Sequence, residues 1–127
     1  MKPDLSLRGL TWVLILFNAA FWLAFAFLTA FDLHPGLPDE PWVRWGMTGL
    51  ALAASLGLIG LHWLAKRGWS LAYFFLLTML GLICLVTLLD EFGWTDLIIL
   101  IIHALCLDLL IRDREGYLTL SRMNPGS

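Results

Sequence analysis

His103 stands at the middle of Leu97 to Leu107, a stretch otherwise built from aliphatic side chains and Cys106. Its imidazole is the side chain there whose ordinary pKa lies near neutrality, so it is the natural candidate for carrying a proton. Three other polar residues stand in comparable settings. Asn18 lies within Leu10 to Phe31, Ser55 within Trp45 to Ala65, and Thr78 within Trp69 to Leu89. If these runs are helices across a bilayer, a rise of about 1.5 Å per residue brings all four groups to similar depth. Asn18, Ser55, Thr78 and His103 would then form one hydrogen-bonded layer. Such a layer either fixes helix register or provides a proton relay or polar ligand site centred on His103.

Asp108 and Arg112 form a second constellation. They are four residues apart, acid before base, and so share one helix face. Pairing offsets the cost of a carboxylate near the end of an apolar run, and His62, close to the end of its own run, could join them. The expected role is a structural ion pair; the alternative is an entry point for a proton or cation.

Covalent and metal chemistry find no such footing. His103 and Cys106 share a face at i, i+3, but zinc sites need four ligands including any water. His62 and His103 fall at different depths, which disfavours a bis-histidine haem. There is no C-x-x-C, no H-E-x-x-H, no nucleophile-elbow serine and no glycine-rich phosphate loop. Cys84 and Cys106 lie on opposite sides of the midplane of their runs, too far apart for a disulfide, and read as small buried apolar residues. The expectation is a protein that is not an enzyme, holds no cofactor or metal and binds no nucleic acid.

The elements that must position these residues follow from the apolar runs. The chain has 127 residues, of which 60% are hydrophobic and 14% charged. A soluble domain of this size has too much surface to hide that much hydrocarbon. Three runs of 21 or 22 residues hold no Asp, Glu, Lys or Arg, and a fourth, Trp94 to Ile111, carries only Asp96 and Asp108 near its ends. About 20 helical residues cross a hydrocarbon core, and backbone in lipid must satisfy its own hydrogen bonds. The predicted fold is all-α, a single domain over 1–127. It is an integral membrane four-helix bundle with spans at 10–31, 45–65, 69–89 and 94–111, and a tail, 112–127, without order beyond Tyr117.

Sidedness comes from the charges. Lys2, Arg8, Lys66, Arg67, Arg112, Arg114 and Arg122 would all lie on one side of an up-down-up-down bundle, leaving Arg44 alone among Asp32, Asp39, Glu40, Asp90, Glu91 and Asp96. The positive-inside rule then places both termini in the cytoplasm, N-in and C-in. A bacterial or archaeal cytoplasmic membrane is the expected location. Trp12, Trp42, Trp45, Trp63, Trp69 and Trp94 fall at span ends, as an aromatic belt requires, and Trp22 alone lies well inside a span. Ala24-Phe25-Ala26 has the form of a signal-peptidase site, but the apolar run continues to Phe31, too long for the core of a cleaved leader.

The connections are short. Pro35, Pro38 and Pro41 keep the first outer connection extended, Lys66-Arg67-Gly68 makes a tight turn, and Asp90 to Gly93 makes another. In the second span Gly49, Ala53 and Gly57 recur every four residues, a ridge suited to close helix packing within the bundle or to a homodimer or partner interface.

Length and span number resemble those of the small multidrug resistance transporters. That family depends on a glutamate embedded in the first span, where this sequence has Asn18 and no carboxylate, so the resemblance implies the architecture and not the transport chemistry. The expected role is a non-catalytic accessory, assembly or structural subunit in contact with lipid and with other membrane subunits or itself. The alternative is a small homo-oligomeric transporter or channel working through the layer around His103.

Overall fold

The computed structural model describes residues 5–36, 39–89 and 93–123. Among them the chain forms five helices and no strand: α1 (Leu5–Ala30), α2 (Pro41–Lys66), α3 (Ser70–Leu89), α4 (Trp94–Arg112) and α5 (Arg114–Met123). The first four are long and apolar enough to cross a membrane. Lys2, the outer turn at Asp90 and Glu91, and residues 124–127 lie outside the described residues.

The helix ends have local causes. Pro41 opens α2 at a position where its missing N–H costs nothing and its fixed φ suits the helix. α1 and α2 close with the same device. Leu33 N–H reaches Leu28 O at 2.8 Å and Asp32 N–H reaches Thr29 O at 3.2 Å, with Asp32 at φ 57°. Trp69 N–H reaches Leu64 O at 3.1 Å and Gly68 N–H reaches Ala65 O at 3.0 Å, with Gly68 at φ 91°. Each is a left-handed residue followed by a six-to-one hydrogen bond, which consumes carbonyls the helix leaves unpaired. At the start of α4, the Asp96 carboxylate accepts from Gly93 N–H at 3.0 Å and favours the positive helix end.

α1 and α2 make the most extensive contact of the bundle. The buried positions on α2 are Thr48, Ala51, Ser55, Leu58, His62 and Ala65, an alternation of three and four residues. That is the seam of a left-handed helix pair. Ser55 of this seam meets Ala19 of α1, and Ala19 and Ala26 are both buried. The ridge expected at Gly49, Ala53 and Gly57 is therefore not this seam. Gly49 and Ala53 are exposed on the next face, a Cβ at Gly49 would meet nothing within 4 Å, and Gly57 packs on Met79 of α3. Four-residue spacing identified a close-packing surface in general but not which helix face turns inward.

The tail is also corrected. Instead of losing order after Tyr117, it forms α5 through Met123, and α5 packs on α2, α3 and α4. Tyr117 is buried in the core cluster, stacked on Tyr73 with ring centroids 5.1 Å apart. Two glycines allow the approach. A Cβ on Gly68 would stand 2.7 Å from Leu120 O, and one on Gly116 would strike the guanidinium of Arg8.

Candidate functional site

Within the four long helices, one side-chain pair involves the histidine of α4. Trp22 of α1 donates its indole N–H to Nε2 of His103 on α4, at 3.1 Å. Nδ1 of His103 lies 2.8 Å from Ile99 O of its own helix, and a carbonyl can only accept, so Nδ1 carries the hydrogen. The ring is thereby held as one neutral tautomer with both nitrogens engaged. His103 is 1% exposed.

The remaining members of the expected layer go elsewhere. Asn18 is buried and donates from Nδ2 to Leu14 O at 2.9 Å. Ser55 donates to Ala19 O across the α1–α2 seam at 2.8 Å. Thr78 is exposed on α3 and donates to Phe74 O of its own helix at 2.9 Å. The four residues do not form one layer: Thr78 lies exposed on the open groove between α2 and α3, and the partner of His103 is Trp22. A further pair, Thr29 and Thr48, joins α1 to α2 through hydroxyls 2.8 Å apart. The signal for Trp22 was its position, since an indole far from the aromatic belt needs a reason to be there, and its N–H needs an acceptor when buried.

Asp108 and Arg112 pair at 2.8 Å, with both side chains more than half exposed on the outside of α4. His62 does not join them. It is 1% exposed, its Nε2 lies 3.0 Å from the Tyr117 hydroxyl, and its ring stacks on Trp12 at 5.1 Å between centroids. Around this pair the ends of the helices converge. Arg8 of α1 bonds Asp113 at 3.2 Å, and Tyr73 of α3 donates to Leu110 O of α4 at 2.7 Å. Lys66 lies 5.4 Å from the centroid of Trp12. Burial, reinforced by the Asp113 carboxylate, pushes the Tyr117 phenol above its ordinary pKa, so it keeps its hydrogen.

Toward the other end, α1, α2 and α3 enclose an apolar cleft of about 300 Å³ whose wall includes Trp22, Phe25, Ala51, Ala54, Ile83 and Thr87. No protein-family model, curated protein or solved structure matches this chain. The functional reading therefore rests on these contacts alone. Among the described residues, no three His, Cys, Asp or Glu side chains stand close enough to hold a metal ion. Cys84 and Cys106 are free thiols.

Proposed function

We propose that this chain is an integral membrane protein of four alternately directed spans, with both termini cytoplasmic. Its role in this reading is that of a non-catalytic accessory or assembly subunit. The alternation is supported by Arg8–Asp113, His62–Tyr117 and Tyr73–Leu110, which bring the starts of α1 and α3 together with the ends of α2 and α4. The sidedness is supported by charge. Arg8, Lys66, Arg67, Arg112, Arg114 and Arg122 gather at that end, while Asp32, Asp39, Glu40 and Asp96 stand at the other.

The observation that carries the accessory role is the engagement of His103 by Trp22 and Ile99 O. A proton carrier inside a membrane needs a nitrogen that can exchange its proton with water or a neighbouring acid. Here both nitrogens are engaged, Nε2 by Trp22 of α1 and Nδ1 by the backbone of its own helix. The exposed apolar faces of the four helices, with Gly49 and Ala53 among them, are available to lipid and to other membrane subunits.

The test is native mass spectrometry of the protein gently extracted from its own membrane. Co-purifying subunits of other sequence are the expected result. A homo-oligomer without partners would overturn the accessory role. It would instead favour a transporter that uses the cleft beside Trp22.

A further inference from the structure

A small cavity of about 50 Å³ opens at the basic end of the bundle, lined by Arg8, His62, Lys66, Tyr117 and Leu120. A water in the liquid takes about 30 Å³, so the space suits one small polyatomic group and excludes a whole lipid headgroup or a nucleoside. Every lining residue but Leu120 can donate a hydrogen bond. None of the five is acidic.

The donors are incompletely used. Arg8, which lines the cavity, spends its Nε on Asp113 and has two further guanidinium nitrogens that can donate. Lys66 has no carboxylate at ion-pair distance among the described residues. His62 is almost fully buried, yet its Nδ1 has no hydrogen-bond partner. The Tyr117 hydroxyl beside Nε2 of His62 can donate to it and so place the ring hydrogen on Nδ1, making a further donor that needs an acceptor. An unpaired buried polar atom is costly, so an oxygen acceptor that reaches Nδ1 is favoured. Trp12, Trp63 and Trp69 surround this end of the bundle in sequence, and indoles collect at the depth of lipid phosphates.

We propose that this cavity binds a single phosphate group, held by Lys66 and Arg8 with His62 as a neutral donor whose tautomer Tyr117 sets. The phosphate comes either from an anionic phospholipid, whose headgroup stays outside the cavity, or from solution. Lys66 without a carboxylate partner, Arg8 shared with Asp113 and a neutral imidazole donor leave a net positive site that suits a phosphate. The lipid source rests on the membrane reading above; the anion chemistry does not.

The experiment uses the full chain in detergent micelles, with helical content and monodispersity checked for each variant, so its outcome is independent of span number. Binding of phosphatidylglycerol and of phosphatidylcholine is measured by native mass spectrometry, with and without inorganic phosphate as competitor. Preferential retention of phosphatidylglycerol is expected. Lys66→Gln should weaken it about tenfold or more, the loss of one charge-assisted hydrogen bond. Lys66→Arg should hold it within about twofold, since the charge is kept. Arg122→Gln removes the same charge from outside the cavity and should leave binding unchanged. Retention that inorganic phosphate does not displace assigns the site to lipid; displacement together with binding of phosphate alone assigns it to a soluble anion. Equal retention of the two lipids together with no binding of inorganic phosphate overturns the proposal, as does equal loss in Lys66→Gln and Arg122→Gln.

Discussion

The indole N–H of Trp22 points at Nε2 of His103 from a distance of 3.1 Å, across 81 residues of sequence. The bond ties the first long helix to the fourth, which otherwise make the least extensive contact among neighbouring spans. It also fixes the tautomer, because Nε2 must accept while Nδ1 faces Ile99 O. The consequence is measurable as coupling. In a double-mutant cycle of Trp22→Phe and His103→Leu, unfolding in mixed micelles should return about 0.5–1.5 kcal/mol of interaction between the two sites. Additive losses would show that each residue acts through packing alone.

Ser55 and Thr78 were equivalent as polar residues at the middle of their spans, and the structure separates them. Ser55 donates across the α1–α2 seam to Ala19 O, whereas Thr78 bonds only its own helix on an exposed face. Ser55→Ala should therefore destabilise the bundle by about 0.5–1 kcal/mol. Thr78→Val should change stability by less than about 0.5 kcal/mol. Equal effects in the same unfolding assay would return Thr78 to the interior.

The contrast explains what the sequence could reveal. Where the helices lie was legible because an apolar run of membrane-spanning length has almost no other solution. The expected span at 45–65 became Pro41–Lys66, and that at 94–111 became Trp94–Arg112. Which face turns inward was not legible, because lipid and protein core are equally apolar and no polar side marks the outside. Depth alone grouped Thr78 with His103, and four-residue spacing chose Gly49 and Ala53 over Thr48, Ala51 and Ser55. The burial of Tyr117 escaped for a different reason. A short tail with Arg114, Glu115 and Arg122 reads as solvated, and only the absent side chains of Gly68 and Gly116 show how closely it is held.

Tyr117 should make the docking of α5 sensitive to alkali. It is faced by His62 of α2, Tyr73 of α3, Arg8 of α1 and Asp113. Burial raises its pKa in the docked state, so docking favours the neutral phenol. The stabilisation is complete below the ordinary tyrosine pKa of about 10 and is lost as pH rises beyond it. A nitroxide label at Thr119, on the exposed side of α5, should keep constant mobility from pH 7 to about pH 9 and loosen above about pH 10. In Tyr117→Phe the label should be looser throughout and lack that step. A step of the same size in the variant would assign it to another group.

Gly68 and Gly60 offer a comparison in which the same substitution has opposite outcomes. Gly68 closes α2 at φ 91°, and a Cβ there would stand 2.7 Å from Leu120 O, a backbone atom that moves only if α5 moves. Gly68→Ala carries both the left-handed penalty of about 1 kcal/mol and the displacement of α5. It should expose Arg122 to trypsin at a rate several times that of wild type. Gly60 lies inside α2 with nothing within 4 Å of its added Cβ. Gly60→Ala should leave that rate unchanged and stabilise the bundle by up to about 1 kcal/mol through helix propensity. If Gly68→Ala is cleaved no faster than Gly60→Ala, then α5 is not held against the turn between α2 and α3, and the cavity that Leu120 and Tyr117 help to close would lose its wall.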